Sequence, residues 1–174
     1  VREDGRSGCP INATIEVIGD RWTLLVLRDV MFGDRRHFRE LLAGSEEGIA
    51  SNILSDRLKR LVAAGLLSRA DTRPGQKAEY RLTEPAIQLV PIMAQLGAWG
   101  LRHRPTTRTL RVRAELLEAG GPRLWADFMD ELRESHLGIP RPDPDRPTAT
   151  RRLAQAYADA VAESNEADER KAAS

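Results

Sequence analysis

Residues 52–67 read NILSDRLKRLVAAGLL, and the stretch has two unlike sides. Leu54, Leu58, Leu61 and Val62 recur at helical spacing and belong against a core. Asn52, Asp56, Lys59 and Arg60 fall opposite, with Ser55 at the flank and Ser51 just ahead. These polar types suit a particular chemistry. An asparagine amide pairs a donor with an acceptor and matches the adenine edge in a major groove. Serine hydroxyls reach bases or phosphates, while lysine and arginine further along neutralise the backbone. Asp56 fits less simply, because phosphates repel a carboxylate. It either accepts from a cytosine amino group or pairs with Arg60 four residues on, and pairing is the favoured reading. A merely solvated face would use the same residues, so the surrounding elements must decide.

A reading helix needs a scaffold, and the flanking sequence supplies one. Pro10 sits well in the first turn of a helix carrying Ile11, Ile15 and Ile18. Gly19-Asp20 breaks it, and Asp20 is a natural N-cap for RWTLLVLRDVMFG, a helix apolar on nearly all sides and therefore buried. A short helix follows at about His37–Ala43, then a GSEEGI turn, then the two-faced helix. Segments 66–69 and 79–82 flank a loop with Pro74-Gly75 and read as a β-hairpin. Thr83 caps a fifth helix over about 84–104, in which Pro91 should kink or open the ladder. Two helices joined by a short turn and followed by a hairpin make a winged helix-turn-helix.

Wing and approach add cations. Arg73, Gln76 and Lys77 lie at the hairpin tip, where an arginine can enter a narrow minor groove. Arg35, Arg36 and Arg39 precede or begin the third helix as candidate phosphate clamps. Charge distribution agrees: residues 35–83 hold ten Lys/Arg against six Asp/Glu, whereas residues 105–174 hold eleven against thirteen. A polyanion would therefore meet the middle of the chain.

Beyond residue 104 the chain continues with helical stretches at about 109–119 and 122–137. A stiff IPRPDPDRP linker and a last amphipathic helix around Leu153–Val161 follow. The expected organisation is a flexible start at 1–8, a winged head at 9–104, a helical C-terminal extension at 105–167 and a frayed end at 168–174. The fold class is mainly α with a small β-hairpin.

Several function classes lose support. The sequence has no Gly-rich phosphate loop, and its three histidines (His37, His103, His136) lack metal-ligand spacing, so neither an enzyme, a cofactor nor a metal is expected. No apolar run approaches membrane-helix length, and the charged start VREDGRSG does not read as a signal peptide. The single cysteine, Cys9, suits a reducing compartment. Standing before a proline-led helix, a Cys9 thiolate would face free N–H groups, which makes it a redox-sensing candidate if exposed; a small, part-buried residue at a helix start is the plainer reading.

The runs CPINATIEVIGDRWTLLVLRDVMFGDRRHFRELL, GIASNILSDRLKRLVAAGLLSR and EYRLTEPAIQLVPIMAQLGAWG together resemble the HxlR-type winged helix-turn-helix regulators of bacteria, over about residues 9–104. The resemblance implies a cytoplasmic, homodimeric regulator that binds double-stranded DNA. It also implies that the first and fifth helices form the dimer, which would place Ile11, Ile15, Leu89, Ile92, Met93, Leu96 and Trp99 at that contact. Some members of the family sense oxidants through a cysteine at the Cys-Pro position. A small-molecule effector is left unidentified, and a helical protein-interaction module without DNA binding is the rival reading.

Overall fold

The computed structural model describes residues 8–70, 77–145 and 147–172. The chain divides into two compact units that meet in sequence at Ala86 and Ile87.

The first unit opens with α1 (Pro10–Ile18), led by its proline and stopped at Gly19. Of its nine residues only Ile18 is buried. Asp20 caps α2 (Arg21–Gly33), accepting from the amides of Trp22 and Thr23 at 3.1 Å each and from the Thr23 hydroxyl. The run of apolar residues in α2 makes it the centre of the unit: Val26, Leu27, Val30 and Met31 are all buried. Against α2 pack α3 (Phe38–Ala43) and α4 (Ser51–Ala63), which also touch each other. Helix α4 ends in a Schellman turn, with the Leu66 amide donating to Leu61 O at 2.9 Å. Gly65 holds φ +70° there, a conformation that a side chain would strain.

The wing is β1 (Leu67–Ala70) paired antiparallel with β2 (Glu79–Leu82), Leu67 opposite Leu82. Its first strand starts one residue later than the alternation suggests. Residues 35–37 add a short third edge: the Tyr80 amide donates to Arg36 O at 2.8 Å, and His37 bridges Glu79. Thr83, expected as a helix cap, instead donates its hydroxyl to Gly65 O at 2.6 Å and ties the strand to the end of α4.

The fifth helix is two helices. The chain forms α5 (Glu84–Ile87), turns, and begins again as α6 (Val90–His103). Pro91 is the reason: in a first turn its missing N–H costs nothing, so the proline starts a helix where a mid-helix kink was expected. In the second unit α6 packs on α7 (Arg108–Leu137), and α7 on α8 (Ala149–Ala172). Helix α7 bends at Gly121 (φ 57°, ψ −158°), followed by Pro122, which separates the two stretches expected at 109–119 and 122–137. The Trp125 indole spans the bend by donating to Leu117 O at 2.8 Å. Glu131, 8% exposed, caps α8 through the amides of Ala149 and Thr150.

Helix α6 packs with the helices that follow it, so the compact units divide at Ala86/Ile87, ahead of the sequence division expected after Arg104. The backbone of α8 is helical to Ala172; alanine, glutamate, arginine and lysine in its last stretch are good helix formers.

Candidate nucleic-acid interface

Helix α4 is anchored through Leu54, Leu58 and Leu61, each 2% exposed or less. A helix fixed by one stripe presents the other to solvent. Ser51, Asn52, Lys59 and Arg60 are exposed, and Ser55 and Asp56 are half-exposed. At 100° per residue, Asn52 and Lys59 lie almost in line, about 10 Å apart along the axis, with Ser55 and Asp56 between them. Asn52 and Lys59 have no hydrogen-bond or ion-pair partner among the described residues. Asp56 pairs with Arg60 at 3.0 Å, so its charge is matched within the helix. Both partners are well exposed, and the pair adds little stability.

Arg57, on the same helix, was not singled out from the sequence. It turns inward, with Nε 3.4 Å from the Asp20 cap, and links α4 to the start of α2. The spacing of a polar residue beside an apolar stripe gives no hint of this. Burial raises the Asp20 carboxyl, but hydrogen bonds from Thr23 and the attraction of Arg57 outweigh it, and the net shift is downward.

The turn into α4 is clamped from α2. Arg28 holds Glu47 with two hydrogen bonds, of 2.6 and 2.9 Å, and reaches Asp29 at 2.8 Å. Burial pulls the Arg28 guanidinium down, yet Glu47 and Asp29 together keep it above its ordinary value. The Arg28 hydrogen bonds hold the Glu47 carboxyl below the usual carboxylate range.

The arginines before α3 behave differently from one another. Arg35 reaches Asp29 at 3.4 Å, and Arg36 reaches Asp34 at 2.6 Å and Glu79 at 3.5 Å. Both cations are engaged inside the unit, and Arg36 fastens the α2–α3 loop to the wing. Arg39 is exposed and has no ion pair among the described residues. Lys77 is exposed at the near end of the wing. Arg73 and Gln76 lie outside the described residues.

Three apolar residues of α6 stand exposed: Ile92 at 42%, Leu96 at 49% and Trp99 at 50%. Met93 and Leu89 are half-buried. The Trp99 ring is flanked by His103, centroids 5.0 Å apart, and by the Arg104 guanidinium at 5.5 Å. On α1, Ile11 and Ile15 are exposed, and so is Cys9, whose side chain makes no capping bond at the start of the helix. Among the described residues no helix is long and apolar enough to cross a membrane, and no group of three or more His, Cys, Asp or Glu is placed to hold a metal.

Comparison with known proteins gives this geometry its relatives. The family model described as HxlR-like helix-turn-helix matches residues 17–108. The HTH-type transcriptional regulator Rv3095 of Mycobacterium tuberculosis is 34% identical over 141 residues, covering 79% of this chain and 87% of that protein. The HTH-type transcriptional regulator YybR of Bacillus subtilis is 30% identical over 109 residues, covering 61% of this chain and 84% of its own. Among solved structures, PA1607 superposes with a TM-score of 0.53 at 31% identity, covering 60% of this chain and 72% of that one. The match over more than half of the chain and the 34% identity to a regulator covered over most of its length show that this chain, with its helix-turn-helix and hairpin wing, belongs to the HxlR-like helix-turn-helix family.

Proposed function

We propose that the protein is a sequence-specific DNA-binding transcriptional regulator that acts as a homodimer on a pseudo-palindromic operator. The observation that carries this reading is the outer stripe of α4. Its apolar face is locked into the core, while Asn52 and Lys59 are exposed and have no hydrogen-bond or ion-pair partner among the described residues. Asn52, with Ser51 and Ser55, contacts base edges in the major groove. Lys59, Arg39 and Lys77 contact phosphates, Arg60 does so at the cost of its pair with Asp56, and Arg73 and Gln76 extend the wing contact. Arg35 and Arg36 act from behind, by holding the α2–α3 loop and wing in place.

Dimerisation is supported by two unfinished surfaces. Helix α1 buries a single residue, and a helix of that length does not persist in water without a packing partner. The Ile92, Leu96 and Trp99 stripe of α6 is an apolar strip open to solvent. A twofold dimer sets two reading helices about 34 Å apart, one turn of duplex. Cys9 belongs to the reading as a redox-responsive thiol. It is exposed, and as the only cysteine it can form a disulfide only with another molecule. The setting is cytoplasmic, where DNA and reduced thiols are found together.

Genomic footprinting followed by titration of the recovered duplexes tests the proposal. Paired half-sites about one helical turn apart are expected, with affinity falling steeply as salt rises. A purified protein indifferent to every recovered duplex at low ionic strength, with and without reductant, would refute it. For Cys9, oxidant is expected to change operator affinity in the wild type and to leave Cys9→Ser unaffected. An equal response in the mutant removes the thiol from the mechanism.

A further inference from the structure

A cavity of about 370 Å³ opens in the first unit, among the last turn of α1, the start of α2 and the second half of α4. That volume lies at the lower end of small-molecule sites, enough for a body of about one ring. Val17, Leu61 and Ala63 contribute apolar lining, and Arg57 borders the space.

Arg57 is poorly served for so enclosed a cation. Its side chain is only 18% exposed. Charge-assisted N–H···O bonds run to about 2.7–2.9 Å. Arg57 makes none that short: its nitrogens lie 3.4 and 3.5 Å from the Asp20 oxygens and 3.7 Å from Asp56. Its Nε is buried and makes no hydrogen bond among the described residues. Neither neighbouring carboxylate is at liberty to close on it. Asp20 is committed to the amides of Trp22 and Thr23, and Asp56 to Arg60 at 3.0 Å. Glu16, the remaining acid at the cavity among the described residues, already accepts from Asn12 at 2.8 Å. The unmet demand at this site is therefore for an acceptor, and a planar carboxylate offers two oxygens in the spacing that a guanidinium fork fits.

We propose that this cavity binds a small apolar monocarboxylate, its carboxylate gripped by Arg57 and its body against Val17, Leu61 and Ala63. The site lies on the inner side of α4, so its occupant would be an effector placed to act on the reading helix. The site itself stands whether or not the DNA-binding reading does.

Binding is measured on the full chain without DNA, so that the two ideas fail separately. Benzoate and hexanoate are titrated calorimetrically beside benzamide, which is neutral and nearly isosteric with benzoate. At least one carboxylate is expected to saturate with Kd of about 1 mM or tighter, and benzamide to bind roughly tenfold more weakly than benzoate. Arg57→Gln is expected to remove that discrimination. Ala63→Leu, which fills the space and touches no ion pair, is expected to lose binding while keeping the fold by circular dichroism. Arg69→Gln, on β1 outside the cavity, should bind as the wild type does. Three results would each overturn the proposal: no saturable binding of either carboxylate up to about 20 mM, equal affinity for benzoate and benzamide, or undiminished binding in Ala63→Leu.

Discussion

Replacing Asn52 by alanine should change what the protein prefers to bind, and replacing Lys59 should change only how strongly. Both side chains are exposed on α4 and have no hydrogen-bond or ion-pair partner among the described residues, so neither change should unfold it; alanine, if anything, favours the helix. The apolar stripe that positions α4 is untouched by either. A bidentate amide–adenine pair discriminates by about 1–3 kcal/mol per base, or about 5- to 150-fold per half-site. Asn52→Ala should lose that amount on the operator and almost nothing on a duplex in which the contacted adenine is replaced. Its salt slope should match that of the wild type, because no phosphate contact is gone. Lys59 lies about 10 Å further along the same face, where the helix leaves the base edges. Lys59→Ala should weaken all duplexes alike and reduce the slope of log K against log salt by about 0.9 per half-site. The assay is fluorescence anisotropy on operator, adenine-substituted and scrambled duplexes at four salt concentrations. A uniform loss from Asn52→Ala, accompanied by a smaller salt slope, would refute the division between base contact and phosphate contact along α4.

Three further outcomes follow from the packing. Trp99→Ala should raise the dimer dissociation constant about 30-fold, since a buried interface tryptophan carries about 2 kcal/mol or more; unchanged sedimentation would exclude α6 from the interface. Asp20→Ala should cost about 1 kcal/mol in urea melts through the lost cap of α2. The folded Asp20 carboxyl lies below its ordinary value of 3.8, so its stabilisation is whole above that pH and is lost as pH falls through the lower folded value. Wild type and mutant melts should therefore converge in acid, and a gap that persists there would count against the assignment. Glu47→Ala should destabilise by about 1–2 kcal/mol, discounted for partial exposure, by leaving Arg28 half-paired beneath the turn. Glu47→Gln, which keeps one acceptor, should recover part of that loss, and an equal cost for both would show that the charge-assisted clamp contributes nothing.

Much of the head was legible because its signals are local. Asp20 and the apolar run after it set the start and the length of α2, and the Leu54, Leu58 and Leu61 period together with Gly65 set α4 and its end. What escaped is non-local. The backbone of residues 35–37 joins the wing through single pairings, too short to leave any alternation in the sequence. Arg36 and Arg57 look like surface cations when read along the chain; only the fold brings Glu79 to one and Asp20 to the other. Pro91 was legible as a break but not as a helix start. Its preference is local, but whether it kinks a helix or begins one depends on where the preceding turn falls. The stripe of α4 was legible only as a candidate, because a reading face and a solvated face share residue types, and the structure adds that no described residue pairs with Asn52 or Lys59.

The extension beyond the family-matched residues bears on which side of α6 remains open. A long apolar helix could have been covered entirely by the tail of its own chain, leaving no surface for a partner. Helix α7 instead meets α6 where both carry small residues: a side-chain carbon added at Gly97 would lie 3.1 Å from the Ala114 methyl. Close approach on that side lets α7 pack without wrapping around α6. Arg102, paired with Glu118, fixes the same two helices toward the end of α6. Val90, Ala94 and Ala98 are buried, whereas Ile92, Leu96 and Trp99 stay at 42–50% exposure with the extension fully in place. Three large apolar side chains are thus left outside, while Met93 and Leu101 are half-buried and Val90 and the two alanines are inside. Packing chosen only to hide hydrophobic area would reverse that arrangement, since burying Ile92, Leu96 and Trp99 would remove far more apolar surface from water. An exposed stripe of large apolar side chains on α6 is the surface on which the proposed dimer would pack.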